Sequence, residues 1–463
     1  MNQPKIWRST CFVILLTAAT VTASQAQTFT TLLDFDGPNG ATPGPAMQLV
    51  EGFDGYLWGT TTAGGTAGAG TIFKLNTATS FLSIAYSFNS AAAYVPWAGL
   101  TLAPNGTLYG TTAYGGAMNL GNIFTFSQKG SFKTPSAGFN GSNGSYPLAG
   151  MVRSSNGIFY GTTAQGGQNG VGTIFQLIGS SSPVAVTDLQ SEAPYTTLVQ
   201  DRHGVFYGTL PYGGTSGKGE VFYMDALGAG MTTHSFSGPD GETPIAGLVQ
   251  GSNGDFYGIT QLGGTDNVGT IFTISATGSY FKTLHNFRFY KNGFKKGYYP
   301  LAVLVEGSDG NFYGTANSGG FHDDGAIFKI TPGGQYSVLY SFDSSDDSAT
   351  SGLVQATDGN FYGTLEYGGA NNLGIVYRLA TGLAPFVKIL PGQGKVGSTI
   401  NIYGPNLAGA TSVKFNGTPA TFTVSPSLST LIKATVPAGA TSGQVEVTTP
   451  SSTLLSNTKF RVH

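Results

Sequence analysis

Charged side chains are scarce in this 463-residue chain: Asp, Glu, Lys and Arg together make up only 10% of it. Familiar disorder needs high charge and few aromatics, so that class is excluded. Cysteine is nearly absent as well. The one copy, Cys11, lies in the apolar run Cys11 to Ala19, behind the basic residues Lys5 and Arg8 and ahead of Ser24-Gln25-Ala26. That order is the pattern of a secretory signal peptide over residues 1–26, with cleavage expected before Gln27. The mature chain then holds no thiol, which excludes disulfides and thiolate metal sites. Losing Lys5 and Arg8 leaves 19 basic residues against 23 acidic, a net charge of −4. Such a balance offers no electrostatic attraction for nucleic acid. No later segment approaches the ~18 consecutive apolar residues of a membrane span.

Glycine and aromatics are abundant instead: 71 Gly, 23 Tyr and 31 Phe. Together with few helix formers they predict an all-β fold of short strands and tight turns. The dominant signal is internal repetition. An aromatic-Gly-Thr step recurs at Trp58, Tyr109, Tyr160, Tyr207, Tyr257 (followed by Gly-Ile), Tyr313 and Tyr362, at intervals of 51, 51, 47, 50, 56 and 49 residues. Each step is followed by a glycine pair, from Gly64-Gly65 to Gly368-Gly369, and then by a strand such as Gly70-Thr71-Ile72-Phe73.

Turn chemistry places the strands within a copy. A first apolar stretch, such as Ala246-Gly247-Leu248-Val249, leads to Asp54-Gly55, Asn105-Gly106, Asn156-Gly157, Asn253-Gly254, Asp309-Gly310 or Asp358-Gly359; His203-Gly204 is the one departure. These pairs predict two-residue type I′ turns. The aromatic-Gly-Thr strand follows, then the Gly-Gly loop, a third strand, and a fourth ending in Tyr86-Ser87-Phe88, His234-Ser235-Phe236 or Tyr340-Ser341-Phe342. Four antiparallel strands per ~50 residues match a propeller blade. The seventh copy stops after its third strand, near Leu379, whereas the mature start, Phe29 to Phe35, reads as an orphan fourth strand. Pairing the two removes exposed edges. The expected architecture over residues 27–380 is therefore a seven-bladed β-propeller closed by the N-terminal strand. The glycines of the recurring step are expected to admit side chains from the neighbouring sheet, which makes the step scaffold.

Residues 381–463 change pattern. Ile400 to Leu407, Val413 to Gly417, Ile432 to Ala440, Gly443 to Thr449 and Phe460 to Val462 are alternating strands between turns, as in a β-sandwich. The strand ending in Gly404-Pro405-Asn406-Leu407, the Phe415-Asn416-Gly417 turn, the Val436-Pro437-Ala438-Gly439 step and the Val445-Glu446-Val447 strand resemble the TIG/IPT immunoglobulin-like domain. That resemblance implies a spacer or adhesion module without catalytic residues. The Tyr-Gly-Thr-Thr…Gly-Gly…Gly-Thr-Ile-Phe repeats over about residues 28–380 resemble the bacterial choice-of-anchor tandem repeat GloVer (Gloeo/Verruco) family. Membership implies export, to a secreted or cell-surface location. The family often carries a sorting anchor, which the apolar-poor end at His463 does not match.

Candidate chemistry falls on one face. With the tight turns on one side of the ring, the Gly-Gly loops and the loops between copies share the other, where length variation collects. Trp97, Tyr114, Tyr212, Phe321, His322 and Tyr367 lie on those loops and suit stacking on a sugar. The longest loop, Arg288 to Tyr299, brings Lys291, Lys295 and Lys296 among aromatics and suits an anionic polysaccharide. Asp323-Asp324, with Asp343, Asp346 and Asp347, are the acidic candidates for calcium, but no Asp-x-Asp-x-Asp-Gly loop is present. The five histidines fall at unrelated positions without metal-ligand spacing, and no nucleophile elbow stands out. Neither a metal nor a cofactor is expected. The leading expectation is a monomeric, non-enzymatic binding protein for an extracellular glycan or surface protein. An extracellular polysaccharide-cleaving enzyme, which needs two facing carboxylates, and a purely structural envelope protein are the alternatives.

Overall fold

The computed structural model describes residues 27–463 apart from 46, 90–91, 135–136, 180, 190–196, 290–294 and 344–350. The expected leader, Lys291, Asp346, Asp347 and the side chains of Lys295 and Lys296 lie outside that description. The fold is all-β, its only helical element among the described residues being a 3-10 turn at Leu407–Gly409.

The fifth copy shows how a repeat is built. Its strands Val249–Gln250, Phe256–Thr260, Thr270–Ile274 and Phe281–Asn286 pair in sequence order as one antiparallel sheet. The first hairpin corrects the turn expectation. Of the pair Asn253-Gly254 only the glycine has positive φ (93°), and its N–H donates to the Gly251 carbonyl at 2.8 Å. This is a type I turn closed by a left-handed glycine, not a type I′ turn. The physical reason is the Asx side chain: Asn253 Oδ1 accepts the Asp255 N–H, and Asp54, Asn105, Asn156, Asp309 and Asp358 each accept the N–H two residues on. In the fourth copy, where His203 replaces the Asx residue, Asp201 supplies the acceptor to His203 N and Val205 N.

The aromatic-Gly-Thr step joins successive sheets. Tyr109 stacks on Phe159 at 4.0 Å and Tyr257 on Phe312 at 3.9 Å, and Tyr313 meets Phe361 at a tilt at 4.1 Å. Thr60, Thr209 and Thr315 donate to the carbonyls of Ala98, Ala246 and Ser351 in the following copy. The glycine between them has a different role from the expected one. A Cβ on Gly258 would lie 2.4 Å from Phe272 and 2.8 Å from Leu248, both of its own sheet. The glycine makes room for the third-strand ring, which covers the middle of its own sheet.

Seven such sheets are present. In the last, Val354–Gln355, Phe361–Leu365 and Ile375–Ala380 are completed by Thr28–Asp34, which runs antiparallel to Ile375–Ala380 from Thr28 opposite Ala380 to Asp34 opposite Ile375. The seventh sheet also meets the first: Thr357 N–H donates to Glu51 Oε2 at 3.0 Å, and Gln48 Nε2 to the Leu353 carbonyl at 2.6 Å. The Thr357–Glu51 bond is the counterpart of Ser155 N–H to Gln200 and Ser308 N–H to Gln355 between consecutive sheets. The sixth sheet has an addition. Residues expected in a loop form the strand Lys295–Pro300, because Phe312–Gly320 runs nine residues and offers it free backbone groups.

Residues after Leu383 form two four-stranded sheets around one core that includes Val387, Ile400, Phe415, Ile432, Val447 and Phe460. This C-terminal unit is packed on the side of the tight turns. Tyr403 meets Phe53 edge-on at 5.1 Å, Asn401 Nδ2 donates to the Pro104 carbonyl, and Thr430 Oγ1 to the Phe53 carbonyl. Lys388 Nζ lies 3.0 Å from the Glu51 carboxylate, which is only 5% exposed.

Candidate functional site

The first strand of each copy is short, and the segment leading into it repeats one pair of positions in every copy. Leu49, Leu100, Met151, Leu198, Leu248, Leu304 and Leu353 are buried. The residues immediately before them, Gln48, Gly99, Gly150, Thr197, Gly247, Val303 and Gly352, all line one central cavity of about 790 Å³. Every copy thus contributes its equivalent position. Four glycines of the seven leave the cavity wide at this level. Two residues further on, nearer the tight turns, stand Thr101, Val199, Val249 and Val305, which also line it. Trp97, Ile245 and Leu301 come from the position two residues earlier, nearer the variable loops.

The lining is neutral. Gln48, Gln250, Gln261, Thr101, Thr197 and Thr243 supply polar atoms, and among the described residues no carboxylate, imidazole, ammonium or guanidinium lines the wall. At 790 Å³, apolar with a few amides and hydroxyls, the cavity has the size and character of a small-molecule site.

The six loop residues singled out in the sequence divide. Trp97, half-buried, and Tyr212, 48% exposed, both line the cavity. Tyr114 instead stacks on Tyr94 at 5.3 Å and meets Tyr146 edge-on at 5.5 Å. Phe321 (66% exposed) and His322 sit together in the sixth Gly-Gly loop, and Tyr367 lies exposed in the seventh; none of these lines the cavity. Sequence reasoning missed the first-strand glycines and Gln48. Their signal was available in the alignment of the seven first strands, but it shows only when alternate residues are compared.

Several other ionisable groups serve the scaffold. Asp309 and Asp358 accept from Tyr313 and Tyr362, whose hydroxyls are pushed above the ordinary phenol range by burial first and by the nearby carboxylate second. Asp54 accepts from Trp58 Nε1, but burial raises its pKa on balance. Asp323 accepts from Tyr298, so the acidic pair Asp323-Asp324 is drawn into the fold. Among the described residues no three His, Cys, Asp or Glu side chains come together as a metal-ligand set. The histidine reading needs one correction. His234 and His285 occupy equivalent positions in the fourth strand and stack on Phe281 (3.7 Å) and Tyr336 (4.1 Å) of the next sheet. They stand where Tyr86 stacks on Phe132, so their role is aromatic.

Sheets that stack in succession about a common cavity define a propeller-type repeat protein, and the described wall of that cavity is neutral. Solved structures of that type have the same fold. A streptogramin B lyase is 15% identical, with TM-score 0.53, over 77% of this chain and 99% of that one. The BP39L lectin from Burkholderia pseudomallei is 8% identical, with TM-score 0.54, over 74% and 97%. A fungal alcohol oxidase of the AA5 family, in complex with copper, is 13% identical, with TM-score 0.50, over 94% and 98%. The chain belongs to the Gloeobacter/Verrucomicrobia repeat family, whose model matches residues 17–192, 193–418 and 299–451. No curated protein matches it in sequence. Among the described residues no helix is long and apolar enough to cross a membrane.

Proposed function

We propose that this is an exported binding protein: the seven sheets are blades of a closed ring, residues 381–463 are an immunoglobulin-like TIG/IPT module, and the central cavity is the seat of an extracellular glycan. The observation that carries this reading is the cavity itself, to which all seven copies contribute and in whose wall Trp97 and Tyr212 stand with amides and hydroxyls and, among the described residues, no charged group. Aromatic faces stack on sugar rings, while Gln and Thr offer hydrogen bonds to hydroxyls. The contacts of the seventh sheet with the first support closure.

Binding is favoured over polysaccharide cleavage for a stated reason. Both hydrolytic geometries need a facing pair of carboxyl groups, and the described cavity wall carries none. A glycan array probed with the full mature chain tests the proposal. Wild type is expected to bind at least one neutral glycan, with Trp97→Ala and Tyr212→Ala each weakening it about tenfold or more, the loss of one aromatic stack of ~1–1.5 kcal/mol. A blank array for wild type, or variants that bind as wild type does, overturns it.

A further inference from the structure

The cavity has two ends, and they are built differently. One opens among the variable loops. The other faces the tight turns, where the C-terminal unit is packed. That unit contacts the first copy through Lys388 and Glu51, the second through Asn401 and the Pro104 carbonyl, and the seventh through Phe386 N–H and the Thr357 carbonyl. It also reaches the fourth copy, where Arg461 Nη1 donates to the Arg202 carbonyl at 2.6 Å. In a ring of seven, the fourth member stands opposite the junction of the seventh and first. A unit held at both places lies across the axis. Above it, Thr101, Val199, Val249 and Val305 line the end of the cavity nearer the tight turns.

From this we infer that the cavity is a blind cup that takes the terminal units of an uncharged glycan end-on, from the loop face only. The inference rests on the glycan reading above and adds the polarity and topology of the ligand. The described wall, which carries no ionic partner, disfavours uronate or sulfate groups, since a buried charge without a counter-charge costs several kcal/mol (order of magnitude). A cup closed below admits a chain end, whereas an internal segment has to thread through or fold double.

The test uses the full mature chain and three neutral hexasaccharides: β-1,4-linked glucose, β-1,4-linked mannose and β-1,3-linked glucose. Each is titrated calorimetrically unmodified, with a bulky dye on either end, and with dye on both. At least one is expected to bind, to tolerate a dye at one end, and to lose tenfold or more in affinity when both ends are blocked. A doubly blocked sugar that binds as the unmodified one does overturns end-on entry and leaves the glycan reading standing. If none of the three binds and the array is also blank, both fall. Gly352→Leu supplies the second arm. A Cβ at Gly352 meets only Val303 and Gln48 at 3.6 and 3.8 Å, ordinary contact distances, so the variant is expected to fold. With an unchanged melting curve it is expected to weaken binding about tenfold or more by projecting a branched side chain into the cup. Unimpaired binding by Gly352→Leu overturns the cavity as the site.

Discussion

At the residue scale, the seventh copy breaks a pattern in a way that carries a stability cost. Six copies place phenylalanine at the centre of the third strand: Phe73, Phe124, Phe175, Phe222, Phe272 and Phe328. The seventh places Tyr377 there, fully buried, its hydroxyl without a hydrogen-bond partner among the described residues. Burial pushes that phenol far above its ordinary range. An unsatisfied buried hydroxyl costs ~1–3 kcal/mol, so Tyr377→Phe is expected to raise stability by about 1 kcal/mol. Guanidinium unfolding with an unchanged slope and a higher midpoint is the readout. A lower midpoint means that the hydroxyl finds a partner and stabilises the seventh sheet.

The N-terminal strand is the informative case at the scale of elements. Thr28–Asp34 closes the seventh sheet by pairing with Ile375–Ala380, and Phe29 stacks on Tyr340 of the sixth sheet at 4.0 Å and leans on Tyr377 at 5.1 Å. Phe29 is half-buried, so Phe29→Ala is expected to cost about 2 kcal/mol, less than a fully buried Phe→Ala. Deleting residues 27–36 uncovers the Ile375–Ala380 edge, and light scattering is expected to report association. A truncated chain that stays monomeric with an unshifted melting temperature shows that the strand is dispensable. The orphan strand was legible because strand count and periodicity are local properties. The hairpin type was not: Asn-Gly favours type I′ in isolation, and the Asx side-chain bond to the N–H two residues on selected type I with a glycine bulge.

For the whole molecule, one buried carboxylate ties three parts together. Glu51 of the first sheet accepts from Thr357 N–H and Oγ1 of the seventh and pairs with Lys388 of the C-terminal unit. Removing the lysine leaves a buried charge with only neutral donors. Lys388→Ala is therefore expected to destabilise by about 3 kcal/mol, and adding Glu51→Gln to recover part of that loss. Calorimetric melting of the two single variants and the double closes the cycle. Additive effects mean that Glu51 and Lys388 do not act as a pair.

Repeat number, strand order within a repeat, the split seventh copy and the scaffold role of the aromatic-Gly-Thr step could all be read from the chain alone. Each rests on spacing, turn chemistry or alternation, which neighbouring residues determine among themselves. The lining of the cavity was half visible: Trp97 and Tyr212 stood out as loop aromatics, but Tyr114, Phe321, His322 and Tyr367 did so equally. Exposure alone does not say which side chains converge. Convergence depends on how the sheets are rotated about a common cavity, and only packing sets that rotation. It brought Gln48, Gly99, Gly247 and Gly352, more than 300 residues apart at the extremes, to one level of one cavity. The position of the C-terminal unit was likewise a tertiary decision. A surface charge, Lys388, found a buried partner 337 positions away, and no local pattern encodes a contact of that span.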